Sequence, residues 1–435
     1  MKTQTHFLQD RLPAILMAAA AAILAPAANA DNVHGIGADD QRSTNSSLRE
    51  AAIESFQETA PEGLDDAVPH FAIFGRQGKF YLGIGGSVKV TVGEDWGAPL
   101  ENPNNFTTSE ITPAQPGSKE RFHLSAQQSS LFVDFVAFPD NKNRISAYIG
   151  LNLLNNYVPV VQNAYVKWRG FKAGYDYTAF SDNAALPPTI DYEGPCGATP
   201  VTVPTFTYTH SFGKADCLSA TVGIELPQYS VTTARETSTV TQSVPDVPIS
   251  LRYRWNGGND WVKLSAIARN LMYRDNAAAR NVDILGWGVE LSGTAAILPQ
   301  LRGFWTAVYG RGVASYIQDL SGLGLDLTPS GDGATMKASP TWGGYAGLQY
   351  NFTDNVYVSA TYSHVRNYAR SWSDRASETP FGDTYRYAQY AVANLFWDIN
   401  SYISTGVEYI YGRRVNCDGT QAHCNRIQTM IQVSF

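Results

Sequence analysis

Charge is scarce in this chain. Only 16% of its 435 residues are Asp, Glu, Lys or Arg, where a soluble domain usually carries about a quarter. The 32 Lys and Arg do not outnumber the 39 Asp and Glu, which argues against a nucleic-acid surface built from clustered cations. Four cysteines are too few for a disulfide scaffold at this length. There is no CxxC and no HExxH, so no metal site is expected. No GxSxG elbow, Walker loop or Rossmann fingerprint is present, so no cofactor is expected either. After residue 30 no stretch approaches 18 uncharged apolar residues, and the mean hydropathy of −0.22 is too polar for a bundle of membrane helices. These absences leave three classes open: a soluble all-β enzyme, a receptor, or a membrane β-barrel.

The two ends of the chain point to export. Lys2 and Arg11 precede an apolar run from Leu12 to Pro26, and Ala28-Asn29-Ala30 is a small-x-small cleavage site. Residues 1–30 therefore read as a signal peptide. At the other end Ile427, Ile431, Val433 and Phe435 alternate with Arg426, Gln428, Gln432 and Ser434. That is a period-two strand ending on an aromatic. An exported chain that ends on a strand phenylalanine looks like a Gram-negative outer-membrane barrel, with Phe435 as part of the insertion signal read by the barrel-assembly machinery.

Between the ends, turn chemistry divides the chain into sixteen apolar or period-two runs: 79–92, 121–138, 143–155, 160–169, 171–178, 204–212, 217–226, 248–255, 260–272, 282–295, 301–313, 341–352, 354–366, 384–398, 400–413 and 425–435. Their connections sort by length. Pro139–Lys142, Arg169-Gly170, Gly213–Asp216, Asn256–Asn259, Thr353–Asn355 and Asp398–Asn400 are short; 93–120, 179–203, 227–247, 314–340 and 367–383 are long. Short turns on one rim and long loops on the other are the build of bacterial outer-membrane barrels. Phe138, Trp168, Trp255, Trp261, Phe352, Tyr357, Trp397, Tyr402 and Phe435 gather near the short-turn rim, as rings at the lipid headgroup level would. The expected fold is therefore a 16-stranded antiparallel transmembrane β-barrel over 70–435, embedded in outer-membrane lipid.

Alternation then places side chains. Val262, Leu264, Ala266 and Ala268 outward put Lys263, Ser265 and Arg269 in the lumen; Leu251 and Tyr253 outward put Arg252 and Arg254 inside. Ile403, Val407 and Tyr409 outward put Glu408 inside, and the last strand adds Arg426 and Gln428. A polar interior in sixteen strands leaves an aqueous channel, unless loops or the N-terminal extension fill it.

Two segments carry a family resemblance. Ser125–Phe132 (SAQQSSLF), Gln162–Tyr165 and Ala173–Tyr175, followed by Phe180-Ser181-Asp182, Leu186-Pro187, Ile190–Tyr192 and Gly194-Pro195, resemble the DcaP-like trimeric porins, mainly over 120–225. The resemblance implies a homotrimer with the loop 179–203 folded inward as a constriction, passing small anionic solutes such as dicarboxylates. The family's eyelet positions carry arginines and a histidine; here they are Gln127, Ser130, Gln162 and Asn163. That loss puts anion preference in doubt. The remaining lumen charges are Arg252, Arg254, Lys263, Arg269 and Arg426, facing Asp182, Asp191 and Glu193 on the loop. They form either a transverse field across the pore or internal salt bridges holding the loop to the wall.

The functional reading is a passive porin for small hydrophilic solutes and ions. Its alternatives are a substrate-selective channel for small organic acids, with Tyr175 and Tyr177 as a stacking site, and more remotely a barrel lipase using His123 or His364. Cys417 and Cys424, flanking the last loop, are expected to form a local disulfide; Cys196 and Cys217 stay open. Residues 31–69 hold nine acidic residues against Arg42 and Arg49. Ser47-Leu48-Arg49-Glu50 is a capping box that opens a helix over 48–59, placed in the periplasm or in the barrel mouth. The acidic excess of the chain lies in this extension, so the sign of the pore depends on the placement of a few lumen charges.

Overall fold

Sixteen antiparallel strands close on themselves in the computed structural model. It describes residues 55–56, 59–62, 71–74, 80–113, 119–138, 143–213, 217–226, 228–330, 335–369 and 384–435. The strands are β1 (Phe80–Gly97), β2 (Glu120–Ser125 continued by Ser130–Ala137), β3 (Ile145–Asn155), β4 (Val158–Trp168), β5 (Phe171–Tyr177), β6 (Thr202–Phe212), β7 (Leu218–Glu225), β8 (Val247–Trp255), β9 (Asp260–Asp275), β10 (Arg280–Leu298), β11 (Leu301–Arg311), β12 (Pro340–Thr353), β13 (Val356–Asn367), β14 (Tyr385–Asp398), β15 (Ile403–Asn416) and β16 (Gln421–Ser434). Each pairs with its chain neighbours, and β1 closes the ring on β16 from Ser87↔Ser434 to Gly97↔Cys424. Closure satisfies the strand edges, which in hydrocarbon would each leave backbone groups costing several kcal/mol. At the seam Phe435 exchanges two backbone hydrogen bonds with Gly86, and the short strand 71–74 continues the sheet along β1 below it. The signal-peptide reading of 1–30 lies outside the described residues. So does most of the helix expected over 48–59, of which 55, 56 and 59 are described and helical.

Alternation sets the two faces as expected. Leu251, Tyr253, Leu264, Val407 and Tyr409 are exposed, while Arg252, Lys263, Ser265, Arg269 and Glu408 are buried. An exposed apolar face of this extent belongs against lipid. The rims also sort as read. Arg169-Gly170 is a two-residue turn with both φ positive (48° and 84°), the geometry that follows the strand twist. A Cβ on Gly170 would stand 2.5 Å from the Thr209 carbonyl oxygen.

Two expectations need correction. The run 121–138 is not one unbroken strand, because Ser125 and Ser129 turn their hydroxyls on the chain itself. The Gln127 N–H donates to Ser125 Oγ (3.1 Å) and Ser129 Oγ donates to the Ala126 carbonyl (2.7 Å), local bonds that compete with the ladder. The aromatic girdle also loses two members. Trp261 donates its indole N–H to Asp182 (3.0 Å), and Tyr357 stacks on the buried Phe396 (5.2 Å), so both face inward. Trp168, Trp255, Phe352 and Phe435 do face outward.

Three of the long loops, at their described residues, fold into the barrel instead of standing on its rim. Loops 98–119, 178–201 and 312–339 meet in a cluster containing Phe106, Ile111, Phe180, Tyr316, Ile317 and Leu320, packed against inward Ile267, Val365, Tyr390 and Ile410 of the wall. The plug is apolar at its centre and bound to the wall through its polar margin.

Candidate functional site

The loop 178–201 leaves β5, crosses the lumen and returns to β6. At the far wall the Ile190 and Asp191 N–H groups donate to Glu408 (2.7 and 2.9 Å), and the Pro188 carbonyl accepts from Asn394 (2.8 Å) and Ser359 (3.2 Å). Its backbone lies so close to β12 that a Cβ on Gly197 would meet the Gly344 nitrogen at 2.4 Å. Near its start Asp182 accepts from Arg252 (3.0 Å), Trp261 (3.0 Å) and Ser292 (2.8 Å), and the Ser181 carbonyl accepts from Lys263.

Arg426 and Arg269 also hold loops to the wall. Arg426 makes a bidentate pair with Asp95 (2.6 and 2.9 Å) and donates to the Asn102 and Pro103 carbonyls (3.1 Å each). Arg269 pairs with Asp246 (3.0 Å) and Asp326 (3.1 Å), and donates to the Gly312 and Gln228 carbonyls. Of the two arrangements left open by the sequence, Arg252, Arg269 and Arg426 form salt bridges.

The loop carboxylates are spent in the same way. Asp191 accepts from the Phe106 N–H (2.8 Å), the Gly194 N–H (3.0 Å) and Tyr390 (3.1 Å). Burial, and then the neighbouring Glu408, push its pKa up to about 6. Glu193 accepts from Thr107. Burial, with Asp319 and Asp191 alongside, holds it well above the ordinary carboxylate range. The loop therefore presents less negative charge than its three carboxylates suggest.

Two cavities open toward the short-turn rim beside the loop. The larger, about 770 Å³, is lined by Ser130, Gln162, Asn152, Tyr192, Lys89 and other mostly neutral groups. Gln162 donates to Tyr177 (3.1 Å) and to Tyr192 on the loop. The smaller, about 460 Å³, is lined by seven cations, Arg144, Lys167, Arg169, Lys172, Arg252, Arg254 and Lys263, against two carboxylates, Glu62 and Asp176. A residue of the N-terminal extension thus stands in the basic cavity. Glu62 makes a bidentate pair with Arg252 (2.7 and 2.6 Å).

A closed sixteen-strand barrel, with sorted rims and a loop folded across its interior, is joined by a decisive match. The family model described as the Porin subfamily fits residues 107–425. The chain belongs to the porin subfamily. The fold is shared with the outer-membrane channel DcaP of Acinetobacter baumannii, at 19% identity over 83% of this chain and 99% of that one, TM-score 0.70. It is shared more distantly with a loop-deletion mutant of OmpT of Vibrio cholerae, at 11% identity over 82% and 100%, TM-score 0.52. An anion-selective porin from Comamonas acidovorans matches at 9% identity over 82% and 100%, TM-score 0.50. No curated protein matches the chain. The porin is a channel of the Gram-negative outer membrane through which small solutes pass by passive diffusion.

Against this geometry the expected site residues of the porin divide. Arg252, Arg254 and Lys263 border the basic cavity, and Ser130 and Gln162 the neutral one. Asp182 binds Arg252 from behind. Asp191, Glu193, Arg269 and Arg426 border neither cavity and serve the plug. Gln127 is turned away to Asn104 (3.0 Å). The Tyr175 hydroxyl bonds Thr202 (3.0 Å), and the Tyr177 hydroxyl accepts from Gln162 (3.1 Å). Lys167, Lys172 and Arg144 were missed, although the first two flank outward Val166, Trp168 and Phe171 and follow from alternation. Glu62 carried no sequence signal, because nothing local ties an acidic extension to a particular arginine.

The expected Cys417–Cys424 disulfide is not formed, and no disulfide joins any of the four cysteines. Cys424 lies opposite Gly412 in the β15–β16 ladder, five residues below Cys417. That spacing amounts to about 16 Å along a strand, whereas a disulfide needs Cα atoms within about 7 Å. Of the two histidines considered for a lipase, His364 stacks between Trp342 (4.8 Å) and Tyr387 (5.5 Å), and buried His123 lies against Asp95 (3.6 Å).

Proposed function

We propose that this porin passes small hydrophilic solutes with a preference for anions, and that the selecting element is the basic cavity bordered by Arg252, Arg254, Lys263, Lys172 and Lys167. The observation that carries this reading is the ratio of seven cations to two carboxylates around about 460 Å³. In a narrow, poorly screened space, an excess of cationic over anionic side chains raises local anion concentration and opposes cations. Of the loop acids only Asp182 offsets it, through its pair with Arg252; Asp191 and Glu193 are hydrogen-bonded inside the plug. The positive charge absent from Gln127, Ser130 and Gln162 is thereby supplied from β4, β5, β8 and β9. The test is the reversal potential of the purified full-length porin in a planar bilayer under a KCl gradient. An anion-selective sign is expected; a cation-selective sign overturns the reading.

A homotrimer is the proposed assembly, and β3–β5 its contact wall. These strands are short, are joined at the loop rim by the two-residue turn Asn156-Tyr157, and carry exposed Ile149, Val158, Val160, Val161 and Val166. A detergent-solubilised particle of one-chain mass would refute it. The seam contact of Phe435 with Gly86 supports a role for the last residue in barrel closure and delivery by the assembly machinery. Phe435→Ala is expected to lower the amount of folded porin in the outer membrane. Residues 1–30 are proposed to be removed on export, which N-terminal sequencing of the mature porin checks.

A further inference from the structure

Residues 55–56 and 59–62 lie inside the barrel wall. Phe56 packs on inward Tyr81 and Val136. Ala60 packs on the stacked rings of Phe132, Tyr148 and Tyr165, whose centroids are 5.6 Å apart at each step. The Thr59 carbonyl accepts from Tyr165 (2.6 Å) and Lys167 (3.0 Å), and Ser55 Oγ accepts from Arg144 (3.3 Å). Glu62 then meets Arg252, with Lys263 and Lys172 near enough to act on its charge. Arg252 is buried, but its partner Glu62 is 56% exposed, so the carboxylate is reached from the water side of the cavity. Asp182 holds the same guanidinium from the loop side, and Arg252 Nε has no partner among the described residues.

We propose that Glu62 is a tethered ligand of a carboxylate-binding site centred on Arg252 and Lys263, that the segment 55–62 is thereby a plug of the short-turn mouth, and that free carboxylates displace it. The site is a fork of guanidinium donors matched to one carboxylate, and the only thing that distinguishes Glu62 from a solute carboxylate is its covalent tether. A tether supplies a high effective concentration, so displacement requires solute at high concentration. The proposal rests on the anion-preferring reading of the basic cavity.

The test uses the full-length porin in planar bilayers. Glu62→Gln is expected to raise single-channel conductance in KCl at least about twofold and to raise the anion-to-cation permeability ratio, because it frees Arg252 and lowers the hold on the plug. Conductance and permeability ratio both equal to wild type would overturn the proposal. A second variant, Ala60→Cys, reports the plug directly through maleimide labelling read at that peptide by mass spectrometry. Labelling several-fold faster in potassium acetate than in potassium chloride of equal ionic strength supports displacement; equal rates overturn it, and this arm stands if Glu62→Gln fails to insert. A cation-selective wild type overturns the anion-preferring reading alone, since the conductance and labelling arms still decide the plug.

Discussion

Arg269 gives the sharpest test of how the interior is built. Its guanidinium and the carboxylates of Asp246 and Asp326 are fully buried, and it also donates to the carbonyls of Gly312 and Gln228. One side chain of β9 therefore fastens both loop 226–246 and loop 312–339. Arg269→Met keeps the stem and removes the charge. Two carboxylates are then left in the plug without their cation, and breaking a buried pair from one side costs about 3–5 kcal/mol. At about 1.4 kcal/mol per tenfold, that shifts loop docking by roughly a hundred- to a few-thousand-fold. The barrel ladder does not involve this side chain, so the heat-modifiable gel mobility of the folded porin should persist. The expected result is faster protease cleavage within 226–246 and 312–339 and a higher or noisier single-channel conductance. Arg269→Met combined with Asp246→Asn and Asp326→Asn removes the stranded charges and should restore much of the protection. Wild-type cleavage and conductance in the single variant, with an intact barrel, would refute the argument that this arginine holds the plug.

Three further outcomes follow from the same geometry. Asp191→Asn with Glu193→Gln should leave the reversal potential close to wild type, because both groups are buried in loop hydrogen bonds; a marked shift toward anions would place them on the permeation path. Burial and Glu408 raise Asp191 to about 6, so the docked loop binds a proton more tightly than the free loop does. Docking is then favoured as pH falls below 6 and weakened as pH rises through it. Amides 187–194 should exchange hydrogen more slowly at pH 5 than at pH 7 after correction for intrinsic rates; Asp191→Asn should reduce the difference, Glu193 supplying the remainder, and an unchanged difference in the variant would refute the role of Asp191. Gly197→Val, whose Cβ would sit 2.4 Å from the Gly344 nitrogen, should push the loop off β12 and raise conductance; a wild-type conductance would refute the close packing of the loop on that strand.

The sequence by itself determined the barrel, because lipid imposes a rule that can be read locally. Each strand must show hydrocarbon one apolar face, so Leu251, Tyr253 and Leu264 assign Arg252 and Lys263 to the interior without any knowledge of partners. Turn residues such as Arg169-Gly170 and the unequal connections divide the rims by the same local reasoning. Inside the barrel no such rule operates. Whether an inward arginine meets water or a carboxylate depends on how three loops, distant in sequence, fold back against the wall. Asp182, Asp246 and Asp326 are separated from their arginines by tens of residues, and Asp95 from Arg426 by most of the chain. The mismatch between Cys417 and Cys424 has the same origin, since ladder register, and not spacing along the chain, sets their separation. Tertiary structure alone decided that Arg269 and Arg426 are fasteners, that the loop acids are muted by burial, and that Glu62 reaches Arg252. The physical reason is that the lipid face is selected residue by residue, while the charge left facing the pore is the remainder after the loops have paired.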